Sequence, residues 1–211
     1  MEQILQYIFS FAYGAGLNDA TAQKAYPGES KKFLRENNEA KDIVRAYIDG
    51  ILNGENPDFY AVAKRLQASF NKWEEQKGYD EPLFSFGNAQ KLINITVKFM
   101  YLAAYSNYAP MRSRFQNCHC PLDRQMGARV KREICKIVKR KIRKIPEAEL
   151  PDSILEIIKR DSWKGFDGTW SKIEEKVYED YQAVVQFLAA KENLIPLEYD
   201  FRYFDQPIPG K

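Results

Sequence analysis

Apolar residues in this chain recur at three-and-four spacing far more often than at alternate positions, which is the signature of helices with one face turned to a core. The clearest run opens at Asn56-Pro57, where Asn can cap a first turn and Pro suits the first helical position. Phe59, Val62, Ala63, Leu66, Phe70 and Trp73 then share a face, and Gly78 closes the element. Ser85 precedes a second predicted helix over 88–105, which ends before the Pro110 region, and a third covers 128–145 ahead of Pro146. Trp170, Ile173, Val177, Tyr181, Val184 and Leu188 predict a fourth over 170–190. Shorter helices are expected over 2–13, 38–52 and 152–160, while 197–204 fits a strand as well as a short helix. Repeats are absent, and the seams at 146–151 and 165–168 are short enough to be interhelical loops. The expected fold is all-α, an irregular multi-helix single domain over 1–211 with about four long amphipathic helices.

Two of these helices carry polar stripes. On the second, Gln90, Asn94, Lys98, Tyr101 and Tyr105 fall within about 80° of arc, with Lys91 beside them. Apolar residues from Leu92 to Ala104 fill the rest of the circumference, so neighbours must embrace this helix. Its stripe is either the one solvated face or the wall of a ligand pocket, where a few hydrogen-bonding groups fix orientation. On the third, Arg129, Arg132, Lys136, Lys139, Arg140, Arg143 and Lys144 share about 140° of arc with Glu133 as the only acid. Val130, Ile134, Ile137, Val138, Ile142 and Ile145 face the other way, with Cys135 at the margin as a small core residue. Cations gathered on one face repel each other unless a polyanion or counterions offset them, which makes this face a candidate nucleic-acid track.

Charge along the chain sharpens that reading. The net charge of +3 hides a split: residues 101–145 hold 12 basic and 2 acidic side chains, while residues 146–211 hold 8 and 14. A basic middle beside an acidic end points to an anion-binding surface or an internal pairing of the two. Length of 211 residues, 45% hydrophobic content and 14% aromatic content describe a folded domain with little disorder. Three cysteines cannot all pair within the chain, and Met1-Glu2-Gln3 lacks the basic start of a secretory signal. The apolar window 92–105 is interrupted by Asn94 and Lys98 and is too short to span a bilayer. A cytoplasmic protein is therefore expected.

The only histidine lies in a chemically dense segment, from Arg112 and Arg114 through Cys118-His119-Cys120 to Asp123. Histidine is the side chain suited to proton transfer near neutral pH. Adjacent Cys-His-Cys residues cannot readily converge on one tetrahedral ion, so no metal is expected, and no cofactor motif is present. The spacing Arg114-x4-His119 resembles the Arg-x4-6-His motif of the HEPN superfamily of ribonucleases. That resemblance implies metal-independent RNA cleavage by His119 and Arg114 across a dimer interface. The run Gly87 to Asn94, with Lys98 and then His119-Cys120-Pro121-Leu122-Asp123, resembles uncharacterised helical proteins of bacteria and their phages, which implies an origin and no chemistry.

Together these features predict one concavity bordered by the stripe, the His119 loop and the start of the basic helix, with Gln90, Lys91, Asn94, Lys98, Tyr101 and Asp123 contacting an anionic ligand. The expected function is non-catalytic binding of a phosphate-bearing partner, RNA, DNA or a nucleotide. The alternatives are the HEPN-like ribonuclease and a protein-interaction module of phage or mobile-element origin that docks an acidic protein. The sequence leaves the oligomeric state open.

Overall fold

Every regular element described in the computed structural model is helical, and its description covers residues 2–21, 36–105, 109–142, 150–160, 162–166 and 168–203. In chain order the α-helices are α1 (Glu2–Ala20), α2 (Asn38–Leu52), α3 (Phe59–Gln76), α4 (Phe86–Tyr105), α5 (Arg124–Ile142), α6 (Asp152–Arg160), α7 (Glu175–Lys191) and α8 (Pro196–Tyr203). Tighter 3-10 turns cover Ala109–Phe115, Ser162–Gly165 and Trp170–Lys172. No described residue is in a strand, and no described helix is long and apolar enough to cross a membrane.

Helix α4 is the axis of the fold. Ala89, Leu92, Ile93, Val97 and Met100 are all buried on it, because α1, α3 and the 3-10 turns at 109–115 and 170–172 pack around it. Two glycines set the closest approaches. A Cβ on Gly16 would lie 2.7 Å from Thr96 Oγ1, and one on Gly87 would lie 2.1 Å from the Trp170 carbonyl oxygen. Helix α1 therefore runs past the predicted end at residue 13, since Gly16 serves helix packing and does not break the helix. Ser85 caps α4, accepting the Asn88 N–H at 3.1 Å. Asn88 in turn donates to the Ala20 carbonyl at 2.6 Å and so satisfies the end of α1.

Three element boundaries differ from expectation for identifiable reasons. The cap of α3 is Asp58, whose carboxylate accepts the N–H groups of Tyr60 and Ala61 at 2.9 and 3.1 Å. A carboxylate there also complements the positive helix end, which Asn56 cannot do. Trp170 and Ile173 are buried, but on a 3-10 turn and an extended link that precede α7; three-and-four spacing fits both arrangements. Residues 196–203 form a helix, with Pro196 in its first turn and the Glu198 carboxylate accepting the Ile195 N–H at 3.0 Å. The predicted third helix starts earlier, at Arg124, because Asp123 accepts the Met126 N–H at 2.8 Å; the stretch 143–145 of that prediction lies outside the described residues.

Candidate functional site: a buried polar seam

The loop 118–123 joins the 109–115 turn to α5 and passes through the interior, with Cys118, Cys120, Pro121 and Leu122 buried. A buried loop has peptide groups that no helix satisfies, so side chains must do it. Gln182 of α7 clamps Cys120 at two points, accepting its N–H at 3.0 Å and donating to its carbonyl at 2.7 Å. Gln90 of α4 donates to the Leu122 carbonyl at 3.2 Å.

From Gln90 a chain of hydrogen bonds leads to the histidine. The Asn94 amide donates to Gln90 Oε1 at 3.2 Å and to the Tyr178 hydroxyl at 2.8 Å, and that hydroxyl lies 3.0 Å from His119 Nδ1. The Tyr178 oxygen accepts from Asn94, and donating its buried proton to Nδ1, the other polar atom beside it, corresponds to the neutral imidazole protonated on Nε2. Phe59, Tyr60 and Tyr178 flank the ring, with the Phe59 ring centre 4.2 Å away. Burial lowers the His119 pKa to about 4, so the ring is neutral at physiological pH. Burial likewise pushes the Cys118 thiol up to about 12, and raises that of Cys120, so neither is a thiolate near neutrality.

Further along α4 the same stripe meets α8. Lys98 Nζ lies 2.5 Å from Asp200, with both side chains buried. Burial raises the Asp200 pKa and the Lys98 charge opposes that rise. Tyr101 donates to Glu198 at 2.7 Å, and Arg112 grips both Glu198 oxygens at 2.8 and 2.7 Å. Led by the Arg112 hydrogen bond, these contacts hold the Glu198 carboxyl at a pKa of about 2. Lys91 sits 3.1 Å from Asp19 and 3.6 Å from Asp123.

The structure thus brings Gln90 and Asn94 together with His119 and links Lys91 to Asp123. It alters what they face. Gln90, Lys91, Asn94, Lys98 and Tyr101 are all buried, so the stripe is not a solvated face. The expected concavity is occupied by protein groups: Leu122, Tyr178, Glu198 and Asp200 stand where a ligand was anticipated. The side chain of Tyr105 lies outside the described residues. Arg114 is not in contact with His119; it lies in the last turn of 109–115, is exposed, and donates to the Leu52 carbonyl at the end of α2. His119 itself lies in the non-helical loop.

Sequence reasoning missed Tyr178, Gln182, Glu198 and Asp200. The first two are four residues apart on α7, hence on one helical face, and a buried-side Gln in an apolar repeat was a legible signal. Among the described residues no group of three or more His, Cys, Asp or Glu could hold a metal ion.

The basic face of α5 is divided. Arg129 is buried, its guanidinium 3.9 Å from the centre of the Tyr203 ring, and so belongs to the contact with α8 rather than to an outer track. Arg132 and Lys136 both approach Glu133, at 3.8 and 2.6 Å, while Lys136 and Lys139 are exposed. The side chain of Arg140, and Arg143 and Lys144 entirely, lie outside the described residues. No family model matches the chain, and no curated protein or solved structure is significantly similar to it.

Proposed function

We propose that the protein binds a phosphate-bearing polymer, RNA or DNA, without performing chemistry on it, through the outer row Arg132, Lys136 and Lys139 of α5. The observation that carries this reading is the charge of the row. One carboxylate, Glu133, serves two of its cations, and the surrounding residues 101–145 hold 12 basic and 2 acidic side chains. Seven residues of helix span about 10 Å, several times the 3.4 Å rise between successive phosphates of one strand, so the row suits a polymer better than a single nucleotide. The polar seam is then the internal frame that holds α4, α7, α8 and the 118–123 loop together, and not the wall of a site.

The ribonuclease reading has less support. A general acid or base needs a pKa near the working pH and a cation beside the phosphate. His119 has a pKa of about 4, and Arg114 is committed to Leu52.

Fluorescence anisotropy with a labelled single-stranded RNA and a labelled DNA duplex tests the proposal. Binding should weaken steeply with salt, and Lys136→Glu with Lys139→Glu should reduce affinity by about tenfold or more and flatten the salt slope by about 2. The labelled RNA should emerge uncut. Absence of binding at low salt, or affinity unchanged in the double variant, overturns the proposal; chelator-insensitive cleavage lost in His119→Ala establishes the ribonuclease instead.

A further inference from the structure

Helix α1 carries two apolar faces, and the core explains only one. Phe9, Ala12, Tyr13, Gly16, Leu17 and Ala20 point inward against α4 and are buried. On the opposite side, Ile4, Tyr7 and Phe11 keep 62%, 65% and 68% of their surface exposed. Leu5 on the same helix and Leu102 on α4 are exposed as well. Phe11 touches Phe99 of α4 edge-on, with ring centres 5.7 Å apart, so Leu102, one turn beyond Phe99, extends the same patch. Ile4, Tyr7, Phe11 and Leu102, exposed by roughly half or more, leave about 400 Å² of apolar surface on this side, within the range of the largest patch on a monomer. No charged residue occurs from Gln3 to Asn18, in a chain that is 29% charged.

The pattern along that outer face is asymmetric. Ile4, Tyr7, Phe11, Gly14 and Asn18 follow alternating steps of three and four, the seam spacing of paired helices. The first three project. The second half borders a shallow groove of about 390 Å³ lined by Ser10, Phe11, Tyr13, Gly14, Ala15 and Asn18 of α1 and by Lys41 of α2. A Cβ on Gly14 would meet nothing within 4 Å, so the space above it is open in the single chain.

We infer that α1 is the interface of a symmetric homodimer, in which α1 packs antiparallel on α1 of a second copy. Antiparallel pairing about Phe11 places the projecting half of each helix over the grooved half of the other, with Tyr7 above the partner's Gly14. A parallel pairing would set bulk against bulk and groove against groove. Two such patches with their Gln3, Gln6 and Ser10 rims reach roughly the 1,200 Å² at which specific interfaces begin. From Gln3 to Asn18 helix α1 brings no charge to repel its own copy, and Lys41 of α2 is the one cation lining the groove, whereas surface attachment to an anionic membrane draws on a row of cations that α1 lacks. This surface is separate from the α5 row, so the inference does not depend on nucleic-acid binding.

Sedimentation velocity on the full chain should give twice 24.6 kDa at tens of micromolar. Phe11→Asp should yield a monomer. Gly14→Leu is the sharper variant: the space above residue 14 accepts the side chain within one protomer, and leucine favours helix over glycine, so thermal stability of the monomer should hold. Its bulk would occupy the partner's Tyr7 site, so self-association should weaken by about tenfold or more. Phe11→Cys, near the twofold axis, should cross-link to itself on oxidation. A parent protein that stays monomeric overturns the inference, whether or not it sediments with phosphatidylcholine–phosphatidylglycerol vesicles. So does a Gly14→Leu variant that associates as tightly as the parent.

Discussion

The stripe on α4 and the basic row on α5 look alike in sequence, each a polar arc on an amphipathic helix, yet the described stripe is inside the protein whereas Lys136 and Lys139 of the row are exposed. Helical periodicity assigns residues to a face, but what that face meets depends on which elements pack against it. Composition separates the two cases. The α4 stripe holds amides, a phenol and lysines, groups that can be satisfied by a buried loop and by carboxylates on α8. The α5 row is made of like charges, and these cannot be buried together without a matching set of acids. The exception supports the rule: Arg129, at the edge of the row, turns inward because the Tyr203 ring offers its face.

If the seam is a closed polar core, the largest loss should come from opening its ion pair. Lys98→Met or Asp200→Leu alone should destabilise by about 3–5 kcal/mol, because each strands a buried charge, while the double variant should cost much less than the sum. Urea unfolding measures both, and additive losses below about 1 kcal/mol would place the pair at the surface instead. Removing the hydroxyl shared by Asn94 and His119 is a smaller change: Tyr178→Phe should cost about 1–3 kcal/mol, since it leaves both partners buried and unsatisfied.

Next comes a pH effect with a defined sign. The folded pKa of His119, about 4, lies below the ordinary 6.5, so between those values the unfolded chain binds more protons. Stability attributable to this ring is present above pH 6.5 and is lost as pH falls from there toward 4. The loss should be on the order of 3 kcal/mol, and His119→Asn should flatten that segment of the stability profile. The smallest effect belongs to the other region. Lys136→Ala and Lys139→Ala should each change stability by no more than about 0.5 kcal/mol while weakening any nucleic-acid complex. A large stability loss there would mean that the row is structural and would erase the contrast between the two helices.

Much of this architecture is legible in the sequence. The helices at 38–52 and 152–160 match their predicted spans, and the wide apolar arc of α4 announced a helix surrounded on most sides. Partner identity was not legible. Tyr178 and Asp200 lie 84 and 102 residues from their contacts on α4, and nothing local in sequence records such pairing. Short-range chemistry misled where two residue types compete for one task, as when Asp58 rather than Asn56 caps α3. Spacing in sequence did not reveal that a 3-10 turn followed by a buried loop sends the Arg114 and His119 side chains to different neighbours within the chain.

The central claim, that His119 and the α4 stripe form a buried internal seam, is tested most directly by NMR titration of the imidazole. As the only histidine in the chain, His119 gives one unambiguous ring signal. The seam predicts a midpoint near 4 and nitrogen shifts of the tautomer protonated on Nε2, held by the Tyr178 hydroxyl. A midpoint near the ordinary 6.5, with a ring that exchanges freely between tautomers, would contradict it.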